Sequence, residues 1–425
     1  MTAPSHSTGW SHDAPVRLAY VVSHPIQYQA PLLRRIATEP GIDLTVFFGS
    51  GFSVRGYRDE GFGVEVQWDT PLLEGYRSEF LPSLRDTGGL SLTSPISRGI
   101  YRRLRQGRFD ALWVHGYASV NALHAILAAN ALGIPVLLRA ESWLADRERS
   151  HLTLALKQLF FHALASSVDA VLPIGSANAA YWSHYFGDRV PQFPMPYAVD
   201  NAYFERLAED AVPRALALRD ELQLAPGRPV ILFASKLQTR KHADHLVEAY
   251  RLFLLEQQRT GAPTEAAPYL VIVGDGEERL HLETQAARHG LTGVRFAGFR
   301  NQSELPRFFQ LASVFVLPSR HEPWGLIANE AMASGCPVIV SSDVGCHLDL
   351  IDGNSSDPAG LVYPVGDVYA LCAALQSVFS TPEKAERMGQ AARRRMATWS
   401  FNEDVQGLQA ALACTTRNPG MQRAG

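Results

Sequence analysis

The sequence predicts an α/β protein with two doubly wound parallel sheets facing each other across a cleft. Length, alternation and a break near the middle predict it. The chain has 425 residues, more than one hydrophobic core usually organises. Short β-rich runs alternate with longer helical stretches, the pattern of parallel sheets covered by helices. Ala225-Pro226-Gly227-Arg228-Pro229 separates two such alternating halves. Apolar residues make up 46% of the chain and charged residues 19%, which excludes a disordered tail. Lys plus Arg number 39 against 42 for Asp plus Glu, so nothing in the overall charge attracts nucleic acid, and none is expected as a partner. Cys336, Cys346, Cys372 and Cys414 lack C-x-x-C spacing, against a disulfide scaffold or a thiolate zinc site.

In chain order, Met1–Pro15 is polar with no apolar core, so residues 1–15 read as a disordered lead and not a secretory signal. Val16–Ser23 reads as the first strand, Gln29–Thr38 as a helix and Leu44–Phe48 as the second strand. Residues 49–94, rich in Gly, Arg and aromatics without helical periodicity, read as a functional or mobile loop. Arg98, Arg102, Arg103, Arg105 and Arg108 flank Ile100, Tyr101 and Leu104, the pattern of a solvated helix face; a docking site for anionic lipid is the minority alternative. Strands follow at Ala111–Val114, Val136–Arg139 and Ala170–Pro173, with helices Ser119–Ala131 and His151–Ser167. Val120–Leu138 is the most apolar stretch, but Asn121, His124, Asn130 and Gly133-Ile134-Pro135 interrupt it, which argues for a buried helix and strand and against a membrane span. The expected location is the cytoplasm, with the inner membrane face added if the arginine run meets lipid. The two halves join through Met195–Asp200 and a helical Ala/Leu/Arg/Glu stretch that ends at Ala225–Pro229. The second half offers strands Val230–Ala234, Leu270–Val273, Val294–Phe296, Val314–Pro318, Val338–Ser341 and Leu361–Tyr363, with helices Ala243–Gln258, Glu277–His289 and Leu326–Ser334. The expected domains are 16–200, a linker 201–228, 229–398, and a segment 399–425 whose helix, Asn402–Leu412, has no strand after it and is free to pack back on the first domain.

Ligands in such sheets bind beyond the carboxyl ends of the strands. This designates Ser23-His24-Pro25, His115-Gly116-Tyr117 and Glu141-Ser142 from the first half. From the second it designates Ser235-Lys236, Gly274-Asp275-Gly276, Phe299-Arg300 and Ser319-Arg320-His321-Glu322. Within His321–Met332, Pro323 disfavours helix at Glu322 and so leaves that carboxylate in a loop. A helix starting near Gly325 leaves N–H groups free for an anion, with Glu330 farther along it.

Glu322-x7-Glu330 after V-F-V-L-P-S, continuing as E-A-M-A-S-G-C-P-V-I-V-S, resembles retaining GT-B glycosyltransferases of family four. Phe233-Ala234-Ser235-Lys236-Leu237 with Lys241 is similar to that family's diphosphate grip, with Lys236 where Arg is usual. Val273-Gly274-Asp275-Gly276, Phe299 and Gly360-Leu361-Val362-Tyr363-Pro364 match further landmarks. The resemblance implies the GT-B fold, with Lys236 and Lys241 on the donor diphosphate, Glu330 on the ribose, and Glu322 with the backbone of Trp324, Gly325 and Leu326 at the donor sugar. Gly274, Asp275 and Arg300 complete the implied donor side. The first half matches one bacterial branch less tightly, through Ser23–Pro31 and Trp68–Tyr76. It places His24, Gln27, Tyr28, Trp68, Tyr76, Tyr117 and Arg139 on the acceptor side and His115 near the chemistry. Many members carry a His after the strand Val136–Arg139 seen here; this chain has Glu141 there. On strand alternation, Arg139 and Glu141 point to one side, where Arg139 would hold the carboxylate ionised.

The implied reaction is sugar transfer from a nucleotide diphosphate, UDP favoured over GDP, to a hydroxyl acceptor (saccharide, lipid-linked saccharide or natural product) with retention. No D-x-D is present, so no metal and no cofactor are expected. His242-x-x-His245 has helical metal-pair spacing without an evident third donor. G-x-G-x-x-G after a strand, G-x-x-x-x-G-K-[ST] and G-x-S-x-G are all absent, which disfavours nicotinamide dehydrogenases, P-loop ATPases and α/β-hydrolases. The alternatives are a GT-B-like nucleotide-sugar epimerase and a catalytically silent binding partner.

Overall fold

A computed structural model describes residues 14–416, apart from 60, 145–149, 211, 262, 264–265, 352–357 and 382. Twelve strands form two six-stranded parallel sheets. The first holds β1 (Val16–Val22), β2 (Ile42–Phe48), β3 (Arg77–Phe80), β4 (Ala111–His115), β5 (Val136–Arg139) and β6 (Ala170–Val171), in the order β6-β5-β4-β1-β2-β3. The second holds β7 (Val230–Ala234), β8 (Tyr269–Val273), β9 (Val294–Gly298), β10 (Val314–Leu317), β11 (Val338–Ser341) and β12 (Gly360–Tyr363), in the order β9-β8-β7-β10-β11-β12. Both are the doubly wound 3-2-1-4-5-6 order, whose crossover reverses beside the first strand and opens a crevice there. Those crevices, after β1 and β4 in one sheet and after β7 and β10 in the other, carry the walls of the cleft.

Central strands read as continuous apolar runs because helices cover both faces. Leu232, Phe233 and Val271 are fully or almost fully buried, as are Leu112, Val114 and Leu138 in the first sheet. The edge strand β3, Arg-Ser-Glu-Phe, lies within the stretch expected to be loop. Its residues are partly or wholly exposed and pair only with Thr45–Phe48. An edge strand needs charge more than apolar periodicity, so the sequence pattern hides it.

Two connections join the domains. Residues 201–210 and 212–221 form helices whose Phe204 and Leu218, with Leu222 just beyond them, join the core under β7 and β8, so the expected linker belongs largely to the second domain. The last helix, Phe401–Thr416, packs Val405, Leu408 and Leu412 into the core of the first sheet beside Leu18 and Val46. The chain thus crosses between domains twice.

Candidate active site

The cleft between the sheets is a cavity of about 1300 Å³. Its second-domain wall starts where β7 ends. Lys236 and Lys241 project from the following loop, and Glu322 comes from the loop after β10. Lys241 is nearly buried, and its ammonium donates to Glu322, which Arg240 also reaches at 3.3 Å. Burial pushes the Lys241 ammonium below its ordinary range, with Glu322 opposing the shift. The helix Leu326–Ala333 opens at Gly325, whose φ is 88°. A Cβ there would sit 2.7 Å from Val344 and 2.9 Å from Leu317, so glycine alone lets this helix start point into the cleft. Its first N–H groups lack intrahelical partners and suit an anion.

A smaller cavity of about 210 Å³ adjoins this wall, lined by Val273, Gly274, Phe299, Gln302 and Glu330 among others. Gly274 closes the turn after β8 with φ 129°, and a Cβ would strike the Ser235 carbonyl at 1.9 Å. Burial pushes the Glu330 carboxyl up from 4.5 to about 7, against one hydrogen bond from Gln302 at 3.3 Å. A buried carboxyl with one weak partner has capacity for ligand hydroxyls.

The first-domain wall centres on Glu141. Its Oε1 accepts from Tyr28 at 2.9 Å and from the Tyr197 hydroxyl, and lies 3.6 Å from His115 Nε2. Burial works to raise this carboxyl, but His115, Tyr197 and Tyr28 outweigh it and hold the group at about 2. Gln29 places its amide nitrogen 3.2 Å from His115 Nε2 and accepts from Tyr20 at 2.6 Å, which fixes the imidazole from behind. His24 stacks on Phe52 at 4.6 Å, and burial followed by nearby His115 lowers it to about 4.

Residues 216–395 match the family model for Glycosyl transferases group 1. The chain is similar to a glycogen synthase of Mycobacterium tuberculosis, 33% identical over 40% of this chain and 39% of the relative, so it spans about two fifths of that protein. It is 29% identical to a GDP-mannose-dependent alpha-mannosyltransferase of the same organism, over 65% of this chain and 66% of the relative. A sucrose-phosphate synthase of Thermosynechococcus elongatus superposes with a TM-score of 0.65 at 19% identity, covering 92% of this chain and 97% of the other. Anabaena Alr3699/HepE in complex with UDP superposes at 0.68 and 16% identity, covering 94% and 98%. The fold is GT-B.

In this GT-B cleft the larger cavity brings together His24, Gln27, Tyr28, Trp68, His115, Tyr117, Glu141, Lys236, Lys241, Glu322, Gly325 and Leu326. The smaller one is lined by Gly274, Arg300 and Glu330, with Gln27, Tyr28, Trp68 and Leu326 shared between the two. Trp68, expected on the acceptor side, therefore also borders the pocket of Glu330. Arg300 lines that pocket while its guanidinium is engaged by Glu221 at 2.5 Å and Glu304 at 3.3 Å.

Four expected residues lie elsewhere. Arg139 is buried and turns to the Met195 and Pro196 carbonyls and to Asp404 at 3.0 Å. The alternation that put it beside Glu141 fails because β5 ends at Arg139. Tyr76 packs on the outer core of the first sheet with its hydroxyl on the Leu72 carbonyl. Asp275 closes its own loop, accepting from Gly276 at 2.9 Å and Arg279 at 2.7 Å. Trp324, expected at the donor through its backbone, is absent from the cavity lining, and its side chain stacks on Trp399 at 5.4 Å and donates to Asn329 at 2.9 Å at the domain junction.

Sequence reasoning missed Asp59 and Phe62, which line the cleft from a loop without a motif. It read Tyr197 only as hinge; its carbonyl accepts from Asn329 and Trp399 while its hydroxyl holds Glu141. The pair His242 and His245 does acquire a third donor, since Asp244 and the two imidazoles have ligand atoms within 4.8 Å of one another. The arginine run forms the helix Ile100–Gly107, which buries Ile100 and Leu104 and pairs Arg103 with Glu79. Among the described residues no helix is long and apolar enough to cross a membrane.

Proposed function

We propose that the protein transfers a sugar from a nucleotide diphosphate to a hydroxyl acceptor with retention at the anomeric carbon. The observation that carries this reading is the shared cavity. Lys236, Lys241 and the helix start at Gly325 stand on one wall, and Glu141 with His115 stands on the other. The adjoining pocket around Glu330, mostly apolar with a few polar groups such as Glu330 and Gln302, suits a nucleoside. The group 1 family match and the GT-B neighbours support it.

In this reading Glu330 takes the ribose hydroxyls and the two lysines hold the diphosphate. Glu322 serves twice: it keeps Lys241 in place and offers a carboxylate to the donor sugar. The bond between the anomeric carbon and the diphosphate oxygen breaks, and the new bond to the acceptor oxygen forms on the same face. The acceptor proton passes to the departing diphosphate. Lys236, Lys241 and the N–H groups after Gly325 stabilise the charge that develops there, without a metal. UDP is the favoured carrier, supported by the UDP complex of the Anabaena neighbour; the GDP-mannose-dependent relative makes GDP the alternative. Acceptor choice belongs to the first-domain loops, with saccharide, lipid-linked saccharide and natural product as its classes.

The test is nucleotide release from a panel of UDP- and GDP-sugars, with and without acceptors. Acceptor-dependent release is expected, and Lys241→Ala should reduce it by about 10²–10³. Donor isomerisation without acceptor would mark an epimerase, and binding without turnover a silent partner. Activity lost to chelator and restored by Mn²⁺ would overturn the metal-free mechanism.

A further inference from the structure

The described residues between Tyr57 and Asp69 leave the first sheet and lie across the donor side of the cleft. Asp59 is 9% exposed and takes the Lys236 ammonium on both oxygens, at 2.7 and 2.8 Å. The N–H groups of Gly61 and Phe62 donate to the same carboxylate at 2.9 and 3.0 Å. Burial raises its pKa, but Lys236 and these N–H groups outweigh burial and leave it below the ordinary 3.8, so the group is ionised at neutral pH. The Lys236 ammonium also sits 4.9 Å over the Phe62 ring, which meets Phe299 edge-on at 4.9 Å. Farther along, the Gln67 carbonyl accepts from Asn301 at 2.7 Å and Asp69 accepts from Ser303. Phe62 and Trp68 line the smaller cavity opposite Glu330.

We propose that this first-domain strap is part of the donor site: Asp59 occupies Lys236 in place of the donor's diphosphate, and Phe62 and Trp68 wall the nucleobase side of the pocket. The inference rests on the glycosyl-transfer reading. A half-buried ammonium needs a counter-charge, and here a carboxylate from the other domain supplies it. A diphosphate brings more charge and more acceptor oxygens to the same nitrogen. Asp59 must then let go of Lys236, and if it stayed it would repel the incoming phosphates. The apparent affinity is therefore the intrinsic one reduced by the fraction of molecules whose Lys236 is free. The two aromatic rings act separately, through apolar contact with the base, which does not depend on the phosphates.

The experiment is calorimetric titration of the full chain with UDP, GDP, uridine and guanosine. Asp59→Asn keeps the acceptor oxygen for the Gly61 and Phe62 N–H groups and removes the charge. It should lower the Kd of the better-bound diphosphate roughly tenfold and leave the matching nucleoside unchanged. Phe62→Ala and Trp68→Ala should each weaken nucleoside and diphosphate alike. Asp59→Ser replaces Asp59→Asn if the latter does not fold. A wild type that binds a diphosphate while the Asp59 variant binds it equally or more weakly overturns the Asp59 role alone. Nucleoside affinity unmoved by both aromatic variants overturns the wall. If neither wild type nor variant binds any diphosphate at millimolar concentration, the transferase reading falls and takes this inference with it.

Discussion

Glu141 is held ionised by its partners. Burial works to raise its carboxyl, and Tyr28, Tyr197 and His115, converging on one oxygen, outweigh it. Glu141→Gln retains the acceptor oxygen and loses the charge. We expect kcat to fall about 10²-fold with nucleotide affinity and melting temperature nearly unchanged; an unchanged kcat would make Glu141 structural and shift attention to His24 and His115. Glu330 has the opposite environment. Its folded carboxyl titrates near 7 and its unfolded one near 4.5, so between these values the folded state holds the extra proton. The stability of the unliganded protein should therefore decline as pH rises through that window. Donor binding should do the reverse, since ribose hydroxyls donate best to an ionised carboxylate. The Kd of an intact nucleotide sugar, whose diphosphate diester does not titrate there, should fall between pH 6 and 8, and Glu330→Gln should flatten the profile. At this scale Lys236, Lys241, Glu322 and Glu330 could be read as cavity residues because strand, loop and helix start follow one another within a short stretch; Asp275 and Trp324 could not, because side-chain contacts turn them away. Asp59, Phe62 and the hydroxyl of Tyr197 were not, since their roles depend on a partner distant in sequence.

Among the elements, the last helix decides how the domains are joined. Arg139 at the end of β5 pairs with Asp404 on that helix, and its guanidinium lies 4.8 Å over the Tyr197 ring of the hinge. Burial pushes the Asp404 carboxyl up to about 7, with Arg139 opposing the rise. Removing one partner of a buried pair leaves the other uncompensated. Arg139→Met should destabilise the protein by about 3 kcal/mol in denaturant titration. The loss should be larger at pH 8 than at pH 6, because the unfolded chain ionises Asp404 freely and the variant fold cannot. Equal loss at both pH values would count against the pair. Apolar periodicity made the central strands readable, and the same signal marked the last helix without showing where it lands. The edge strand β3 and the packing of the helices at 201–221 into the second domain escaped for different reasons. A polar edge has no apolar signature, and a linker and a packed helix share one amphipathic pattern.

At the scale of the molecule, two doubly wound sheets of the same order turn their crevices toward each other. The second domain meets the cleft with lysines and a helix start, and the first with a clustered carboxylate, imidazole and tyrosines. Among the described residues the carboxylates of the first wall have partners: Oε1 of Glu141 is engaged by Tyr28 and Tyr197, and Asp59 by Lys236. That arrangement favours departure and attack on one face over double displacement. The direct measurement is NMR of the first-formed product from purified protein and the nucleotide sugar that supports acceptor-dependent release. The product should carry the donor's own anomeric configuration before any mutarotation, with or without chelator; an inverted anomer would contradict the account.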